Sequence, residues 1–321
     1  PNHVASYHNL GQALKELGED DGAAICFQKS IEIQPNFVAS HNNLGIIKRE
    51  LGKNDEAVRC FQKSIEIQPN LIAAHNNLGI VYIAMKKHKD AIKCFKKAIQ
   101  IDNKFSMAHY NLGKAFKELN NYSAAIESFK TANTVRSRAE LLETSYFSDG
   151  LKIYPKILEK LAKKDPLNLR IATMAAYVSK KENVNNIYPF CRNPLEYVFT
   201  KNLKNEINSP DKFSTNLSKI LSKVDFIWQP STKSTIRGYH TWGNLFNKKN
   251  YEIVQLQELI KKQISVYREH YKFSKDYFIT KWPDKNELEA WHVKLIKKGY
   301  QKPHIHPAGW LSGCFYLKMP E

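Results

Sequence analysis

Two histidines stand one residue apart near the end of the sequence, at His304 and His306. Residues two apart on a β-strand lie on the same face, so a strand here would present both imidazoles side by side. Imidazole nitrogens bind iron, zinc, copper and nickel, and two rings at this spacing can reach one ion. His304 and His306 are therefore the candidate metal ligands of this chain.

The pair alone is compatible with several folds. Cupins carry a His-x-His pair on a barrel strand, but their motif needs a glutamate a few residues later, and residues 307–311 contain none. Amidohydrolases carry such a pair on the first strand of a long barrel, whereas here it lies close to the end of the chain. A further interpretation needs no metal, because two half-buried histidines can be held by hydrogen bonds alone.

Four asparagines recur at a constant interval and form a second candidate site: Asn9, Asn43, Asn77 and Asn111. A carboxamide offers two donors and two acceptor sites. A column of carboxamides along a groove could bind the backbone of an extended polypeptide whatever its side chains, which makes a protein or peptide the expected partner. The alternative is that these amides form inter-helix hydrogen bonds within the scaffold, and the sequence leaves both interpretations open.

The same interval predicts the elements that carry the asparagines. The dipeptide Leu-Gly recurs every 34 residues, and an alanine, a phenylalanine and a small residue follow it in constant phase. This period is typical of two-helix repeats that stack into a solenoid, because one helix pair cannot bury its apolar face alone. Glycine lets the helices approach closely, and the phenylalanine fills the space between them. The recurring pairs are Gly11 with Phe27, Gly45 with Phe61, Gly79 with Phe95, and Gly113 with Phe129.

This pattern resembles the tetratricopeptide repeat family, in units of about 4–37, 38–71, 72–105 and 106–139. The resemblance implies an α-solenoid that binds protein partners, and similar asparagine ladders hold peptides in O-linked GlcNAc transferases. His41, His75 and His109 replace an aromatic residue that the family often has, so we expect them to pack rather than to bind a ligand. The carboxylate clamp of chaperone-binding repeats is not supported, because the neighbouring groove positions lack its Lys and Arg.

Beyond residue 139 the period fades. Helical spacing persists at 137–148, 150–164 and 166–181, and predicts degenerate repeat helices that cap the solenoid over 140–184. Two prolines within 186–195 mark a domain boundary. Residues 185–321 combine helical spacing with short segments of β-branched and aromatic residues between turn signals, which predicts an α+β domain. Its expected elements are strand-like segments at 226–230 and 235–242, a helix at 251–271, strands at 275–282 and 288–297, a turn at 298–300 and a strand-like end at 314–318.

The segment around the histidine pair resembles the first metal motif of 2-oxoglutarate/Fe(II)-dependent oxygenases. It runs from a Gly299 turn through His304-Ile-His306 to Ser312-Gly313 and an apolar strand. The segments Pro189-Phe-Cys, Trp228-Gln-Pro, Arg237-Gly-Tyr and Asn244-Leu-Phe are similar to the tetratricopeptide-linked branch of that family.

This resemblance implies that residues 185–321 are the first part of a double-stranded β-helix, or jelly roll, with Fe(II) and 2-oxoglutarate as cofactors and hydroxylation as the reaction. His304 would be the first iron ligand. His306 stands where most relatives have Asp or Glu. That departure leaves three alternatives: a third nitrogen ligand, an altered metal geometry, or no metal.

The ends of the sequence carry expectations of their own. An oxygenase of this fold needs a distal His and a basic residue for 2-oxoglutarate, and the 15 residues after His306 contain neither His nor Arg. We therefore expect the cosubstrate-binding residues beyond this sequence, no catalytic residue within it, and an inactive fragment. Pro1-Asn2 falls in register with Pro35-Asn36, which leads us to expect earlier repeats. The alternative function is a non-catalytic protein-interaction scaffold with a degenerate β domain.

Composition narrows the function classes further. The net charge of +18 is shared by both halves, +6 in residues 1–139 and +12 beyond, without Lys/Arg runs interleaved with aromatics. Nucleic acid therefore ranks last among partners. Five cysteines argue against a disulfide scaffold, and Cys191 is expected to be an apolar filler. No apolar run approaches the ~18–20 residues that span a bilayer, so we expect a soluble, cytoplasmic protein without membrane contact.

Overall fold

The computed structural model describes residues 3–224, 226–228, 235–241, 244–285, 287–301 and 311–315. Its internal contacts divide the chain into two units, Pro1–Leu161 and Ala162–Glu321. The domain limits expected from the sequence, 1–139, 140–184 and 185–321, stay predictions.

The first unit is a series of helices in which each helix packs against the next. Within each repeat the first helix contacts the second, and the second contacts the first helix of the following repeat. The helices are α1 (Val4–Glu16), α2 (Asp20–Ile33), α3 (Val38–Glu50), α4 (Asn54–Ile67), α5 (Ile72–Ala84), α6 (His88–Ile101), α7 (Ser106–Glu118), α8 (Tyr122–Ala132), α9 (Val135–Asp149) and α10 (Tyr154–Lys164). The predicted solenoid is therefore present.

The turn between the two helices of each repeat uses a left-handed residue. Gly18 and Gly52 have φ of 80° and 74° in the first two repeats. Lys86 and Asn120 occupy the same place in the third and fourth, with φ of 59° and 57°. Glycine adopts this conformation without strain because it has no Cβ, whereas a lysine adopts it only with strain.

The core of each repeat is a glycine facing the ring of the same repeat's phenylalanine. A Cβ added to Gly11, Gly45, Gly79 or Gly113 would lie 2.5–2.8 Å from that ring. The four phenylalanines are fully buried. The structure confirms that these glycines permit a close approach of the two helices, and it identifies the neighbour as the phenylalanine itself.

The helices after the fourth repeat lie close to their predicted positions. A capping box begins α9: the Thr134 hydroxyl accepts the backbone N–H of Ser137, and the Ser137 hydroxyl accepts the N–H of Thr134. The next helix of the chain, α11 (Leu169–Glu182), belongs to the second unit and begins at Asn168, whose side chain accepts two backbone N–H groups. Whether α9–α11 are degenerate repeats stays a prediction.

The second unit adds a small antiparallel sheet to further helices. Its sheet has the order β1 (Phe226–Trp228), β2 (Thr235–Thr241) and β3 (Val293–Gln301), and the register of β2 with β3 shifts between Ile236 and Gly238. The helices are α12 (Pro210–Leu221), α13 (Tyr251–His270) and α14 (Tyr277–Thr280). Buried apolar residues of α12 and α13, with Leu245, form its core cluster.

Several predicted elements of this unit are wrong. The strand expected at 275–282 is the short helix α14, because Asp276 begins a helical turn there and its carbonyl accepts the N–H of Ile279 and of Thr280. The turn expected at 298–300 lies within β3, where Tyr300 pairs with Ile236. The strand expected from 288 begins only at Val293. Cys314 and Phe315 are irregular, and residues 316–318 lie outside the described residues.

Candidate functional site

The first helices of successive repeats lie side by side. α3 contacts α5, and α5 contacts α7, in addition to the contacts within each repeat. We refer to the face formed by α1, α3, α5 and α7 as the groove. Asn9, Asn43, Asn77 and Asn111 occupy one equivalent position on the four helices, the first exposed and the other three partly buried.

Two of these asparagines bridge neighbouring repeats. Nδ2 of Asn77 donates to Oδ1 of Asn42 at 3.3 Å, and Nδ2 of Asn111 donates to Oδ1 of Asn76 at 2.9 Å. Oδ1 of Asn77 and of Asn111 accepts no hydrogen bond from the described part of the chain. One N–H of each amide thus makes an inter-helix hydrogen bond within the scaffold, as in the alternative interpretation, and one acceptor on each is unused by the described residues.

The bridges depend on a second asparagine column, whose positions entered the sequence analysis only as groove positions without Lys or Arg. Asn42 and Asn76 precede Asn43 and Asn77 by one residue, and the same position is His8 in the first repeat and Tyr110 in the fourth. Nδ2 of Asn42 also lies 3.5 Å from Oδ1 of Asn43. The signal was visible in the sequence as two further asparagines in phase, one residue before the first column.

A depression of about 570 Å³ opens at the N-terminal end of the groove. Its lining contains no carboxylate, ammonium or guanidinium group. Five of its side chains are carboxamides, and four others are apolar. The lining residues are His8, Gln12, Asn36, Phe37, Val38, Ala39, Asn42, Asn43, Gln68 and Leu71. Such a surface suits the main chain and uncharged side chains of a polypeptide, because a buried charge would find no partner there.

His8 is the one titratable group of this lining. Its Nδ1 lies 3.1 Å from the Ser40 hydroxyl, which in turn donates to the Ser30 hydroxyl at 2.8 Å. Because the Ser40 proton is already used, Nδ1 of His8 must donate. Burial lowers the pKa of His8 from its ordinary value, which favours the neutral imidazole in the folded protein.

The three repeat histidines hold the turn between repeats. Nε2 of His41, His75 and His109 lies 2.8, 2.8 and 2.9 Å from the carbonyl oxygen of the residue six positions before it. A carbonyl only accepts, so Nε2 carries the proton in each ring. This geometry confirms that these residues pack and bond within the scaffold, as the sequence predicted.

In the second unit, Asn244 fastens the segment that leads into β3. Its Nδ2 donates to the Leu288 carbonyl at 2.9 Å, and its Oδ1 accepts the N–H of Ala290 and of Phe246, both at 3.0 Å. Downstream, His292 and Thr241 exchange two further hydrogen bonds. The segment Asn244-Leu-Phe of the sequence therefore positions the strand that precedes the histidine pair.

The segment Pro189-Phe-Cys is fixed in a similar way. The carbonyls of Pro189 and Phe190 accept the N–H groups of Tyr277 and Phe278. Asp276, which is 6% exposed, accepts the backbone N–H of Arg192 and its guanidinium, each at 2.9 Å. Cys191 is buried, and burial raises the pKa of its thiol to about 12, which favours the interpretation of this residue as an apolar filler.

Comparison with known proteins identifies the repeats. Residues 37–104 match a tetratricopeptide repeat family model, and residues 4–37 and 108–137 match a second one. The helical repeats of this chain are tetratricopeptide repeats. Their helix pairs, glycine–phenylalanine contacts and repeat length follow one plan from Val4 to Ala132.

Several solved structures are similar over about half of this chain. YrrB, described as a TPR protein with an unusual peptide-binding site, is 15% identical with a TM-score of 0.45, over 54% of this chain and 92% of its own. MamA from Desulfovibrio magneticus is 21% identical with a TM-score of 0.46, over 50% and 93%. TTC0263 from Thermus thermophilus is 19% identical with a TM-score of 0.44, over 55% and 98%. No curated protein matches the chain.

The C-terminal residues match a different family. Residues 289–321 match the family model described as "Putative 2OG-Fe(II) oxygenase". His304 and His306 fall within this match but outside the described residues. Among the residues that the structure does describe, no group of three His, Cys, Asp or Glu side chains could hold a metal ion. No helix of that part is long and apolar enough to cross a membrane.

Proposed function

We propose that the tetratricopeptide repeats bind an extended polypeptide in the groove and that the second unit belongs to a 2-oxoglutarate/Fe(II)-dependent dioxygenase that hydroxylates the bound chain. In this proposal residues 1–139 are the repeats, 140–184 are capping helices, and 185–321 are the N-terminal part of a jelly-roll domain. The partner is a protein or peptide.

The observation that carries the binding half is the asparagine column. The bridges from Asn77 to Asn42 and from Asn111 to Asn76 hold these amides in place, and their remaining polar atoms lie along the groove at the spacing of the repeats. A polypeptide backbone presents alternating donors and acceptors, which carboxamides can satisfy in either direction. The uncharged depression beside His8 adds a site for a neutral side chain.

The oxygenase half rests on the family match over 289–321 and on the donor type of the predicted ligands. Two imidazoles suit Fe(II), but a facial triad has three protein ligands, and His306 stands where the family has a carboxylate. When bound, the ion would supply open coordination positions for 2-oxoglutarate and O₂. The contribution of Asn244 and Thr241 is to orient the strand that leads to these histidines.

The binding half is tested with peptides selected from a random dodecapeptide library against the chain. A backbone-reading groove predicts that scrambling a selected peptide changes its affinity little, whereas N-methylating alternate amides abolishes binding. The double substitution Asn77→Ala and Asn111→Ala should weaken binding by about tenfold, from two lost hydrogen bonds of ~0.5–1.5 kcal/mol each. Asn54→Ala with Asn103→Ala is the matched control outside the groove. Equal affinity of both double variants would remove the asparagines from the site.

The metal half is tested by titrating Co(II), a spectroscopic substitute for Fe(II), into the chain under anaerobic conditions. His304→Ala and His306→Ala should each lose the metal-dependent absorption, while His270→Ala, at an exposed helix end, should keep it. If all three variants bind Co(II) as the unaltered chain does, the histidine pair is not a metal site and the non-catalytic scaffold is the better account.

A further inference from the structure

The positive charge of the repeat array is concentrated in its third repeat. Residues 72–105 contain seven lysines and two aspartates, a net charge of +5. The other three repeats together have a net charge of +1. Comparing the net charges of the two halves of the chain therefore misses that one repeat is strongly basic.

Six of these lysines lie on or next to α6, and we refer to them together as the lysine face: Lys86, Lys87, Lys89, Lys93, Lys96 and Lys97. All six are exposed, while Ala91, Phe95 and Ala98 bury the opposite side of the helix. Among the described residues, Lys93 alone of the six has a carboxylate partner, Asp90 at 3.3 Å. The cations from Lys89 to Lys97 extend over about 12 Å of helix.

The other repeats show that folding does not require these lysines. At the six equivalent positions, the net charge is −1 in the first repeat, +2 in the second and 0 in the fourth. All four repeats nevertheless form the same helix pair with the same glycine–phenylalanine contact. The lysine face is thus a local addition to a shared scaffold.

Lys86 is present at a cost in backbone conformation. Its φ is 59°, in the place where the first two repeats have glycines with φ of 80° and 74°. The left-handed region disfavours residues with a Cβ, and a non-glycine residue held there points to a role other than stability. A lysine at this turn extends the basic surface beyond the end of the helix.

We propose that the lysine face is a docking surface for a short acidic segment of a protein partner. An extended chain rises ~3.3 Å per residue, so about four residues span the cations from Lys89 to Lys97. The surface has no arginine and no exposed aromatic residue, which nucleic-acid sites use for phosphates and bases. It is also confined to one helix, since the equivalent positions have a net charge of +2 in the second repeat and 0 in the fourth, whereas a nucleic-acid backbone favours a longer basic stripe.

The test is equilibrium binding of fluorescein-labelled hexaglutamate to the whole chain at roughly 0.1 M salt, where exposed charges are partly screened. The quadruple variant K89Q/K93Q/K96Q/K97Q should bind at least about tenfold more weakly, since each exposed pair contributes ~0.2–1 kcal/mol. The control K63Q/K130Q/K261Q/K272Q removes the same charge from four surface lysines that each pair with a glutamate three residues away. It should change the affinity by less than about twofold.

A second readout separates docking from general attraction. Lys86→Gly should raise the midpoint of thermal unfolding, because it relieves the strain of a lysine in the left-handed conformation. It should also lower the affinity for hexaglutamate about twofold, as loss of one exposed ion pair would.

Equal weakening of hexaglutamate binding by the two quadruple variants would overturn the proposal, and so would failure of hexaglutamate to bind. Tighter binding of an oligothymidylate of equal charge, lost in K89Q/K93Q/K96Q/K97Q, would assign the face to nucleic acid instead. This proposal is independent of peptide binding in the groove and of the oxygenase proposal.

Discussion

At the residue scale, the glycine–phenylalanine pairs set the spacing of the two helices in every repeat. A Cβ on Gly79 would lie 2.5 Å from Cε1 of Phe95, a separation that real Cβ atoms do not tolerate. The Phe95 ring is completely buried between α5, α6 and their neighbours. The position therefore admits no side chain unless the helices separate.

Gly79→Ala should accordingly destabilise the chain by about 1–3 kcal/mol through overpacking, despite alanine's better helix propensity. The measurement is urea unfolding followed by circular dichroism. The matched control is Gly22→Ala on α2, where a Cβ would meet the flexible ends of Leu14 at 3.3 Å and of Glu19 at 4.0 Å. That variant should unfold within about 1 kcal/mol of the unaltered chain. A similar loss in both would contradict the role given to Phe95.

His8 carries a pH dependence at the same scale. Burial lowers its pKa in the folded state below the unfolded value of about 6.5. The unfolded chain therefore takes up the proton first as the pH falls. The stability that the neutral imidazole contributes is present above about pH 6.5 and is lost as the pH falls through the folded pKa.

His8→Asn places the residue of the second and third repeats at this position, and its amide can still donate to Ser40. The variant should lose less stability than the unaltered chain between about pH 7.5 and pH 5. Urea unfolding midpoints at the two pH values measure this. An equal loss in both proteins would show that protonation of His8 does not contribute.

At the scale of elements, the repeats and the second unit differ in how far the sequence predicts them. The repeat helices follow from one period, because the contacts that form them lie within a few tens of residues and recur in phase. The segment Tyr277–Thr280 is aromatic and β-branched, which favours a strand. It is nevertheless a helical turn, since Asp276 is fixed by Arg192, 84 residues away. No local pattern reveals such a partner.

The limits of β3 have the same origin. The sequence predicts a strand from residue 288, but the Asn244 side chain binds the backbone of Leu288 and Ala290, and regular pairing with β2 begins only at Val293. The asparagine was noted in the sequence only as part of a family-like segment. Its role in holding the approach to β3 follows from three hydrogen bonds, two of which join it to residues more than 40 positions away.

Asn244→Ala should therefore loosen the approach to β3. We expect a loss of about 1–3 kcal/mol, because the N–H of Ala290 and the Leu288 carbonyl lose their partner. Hydrogen exchange at the Ala290 amide should accelerate, measured by mass spectrometry on peptides that cover 287–301. Asn247→Ala, an exposed residue three positions away, is the control and should leave that exchange unchanged. Unaltered exchange in the Asn244 variant would refute the fastening role.

At the scale of the whole molecule, the chain joins a repeat array to a unit of mixed helices and strands. The array offers two distinct surfaces: an amide-lined groove on the first helices, with an uncharged depression at its N-terminal end, and a lysine face on one second helix. An extended, neutral polypeptide suits the groove, and an acidic segment suits the lysine face. Charge statistics over the whole chain could not separate them, because net charge does not record which helix holds the lysines.

The groove is the central claim, and its side-chain amides can be observed directly. The most direct measurement is the ¹⁵N–¹H spectrum of the asparagine side-chain NH₂ groups as a library-selected peptide is added to the chain. The account predicts that the resonances of Asn43, Asn77 and Asn111 shift with a common saturation curve, while those of Asn54 and Asn103 stay in place. Saturating peptide that leaves the three groove amides unmoved would contradict it.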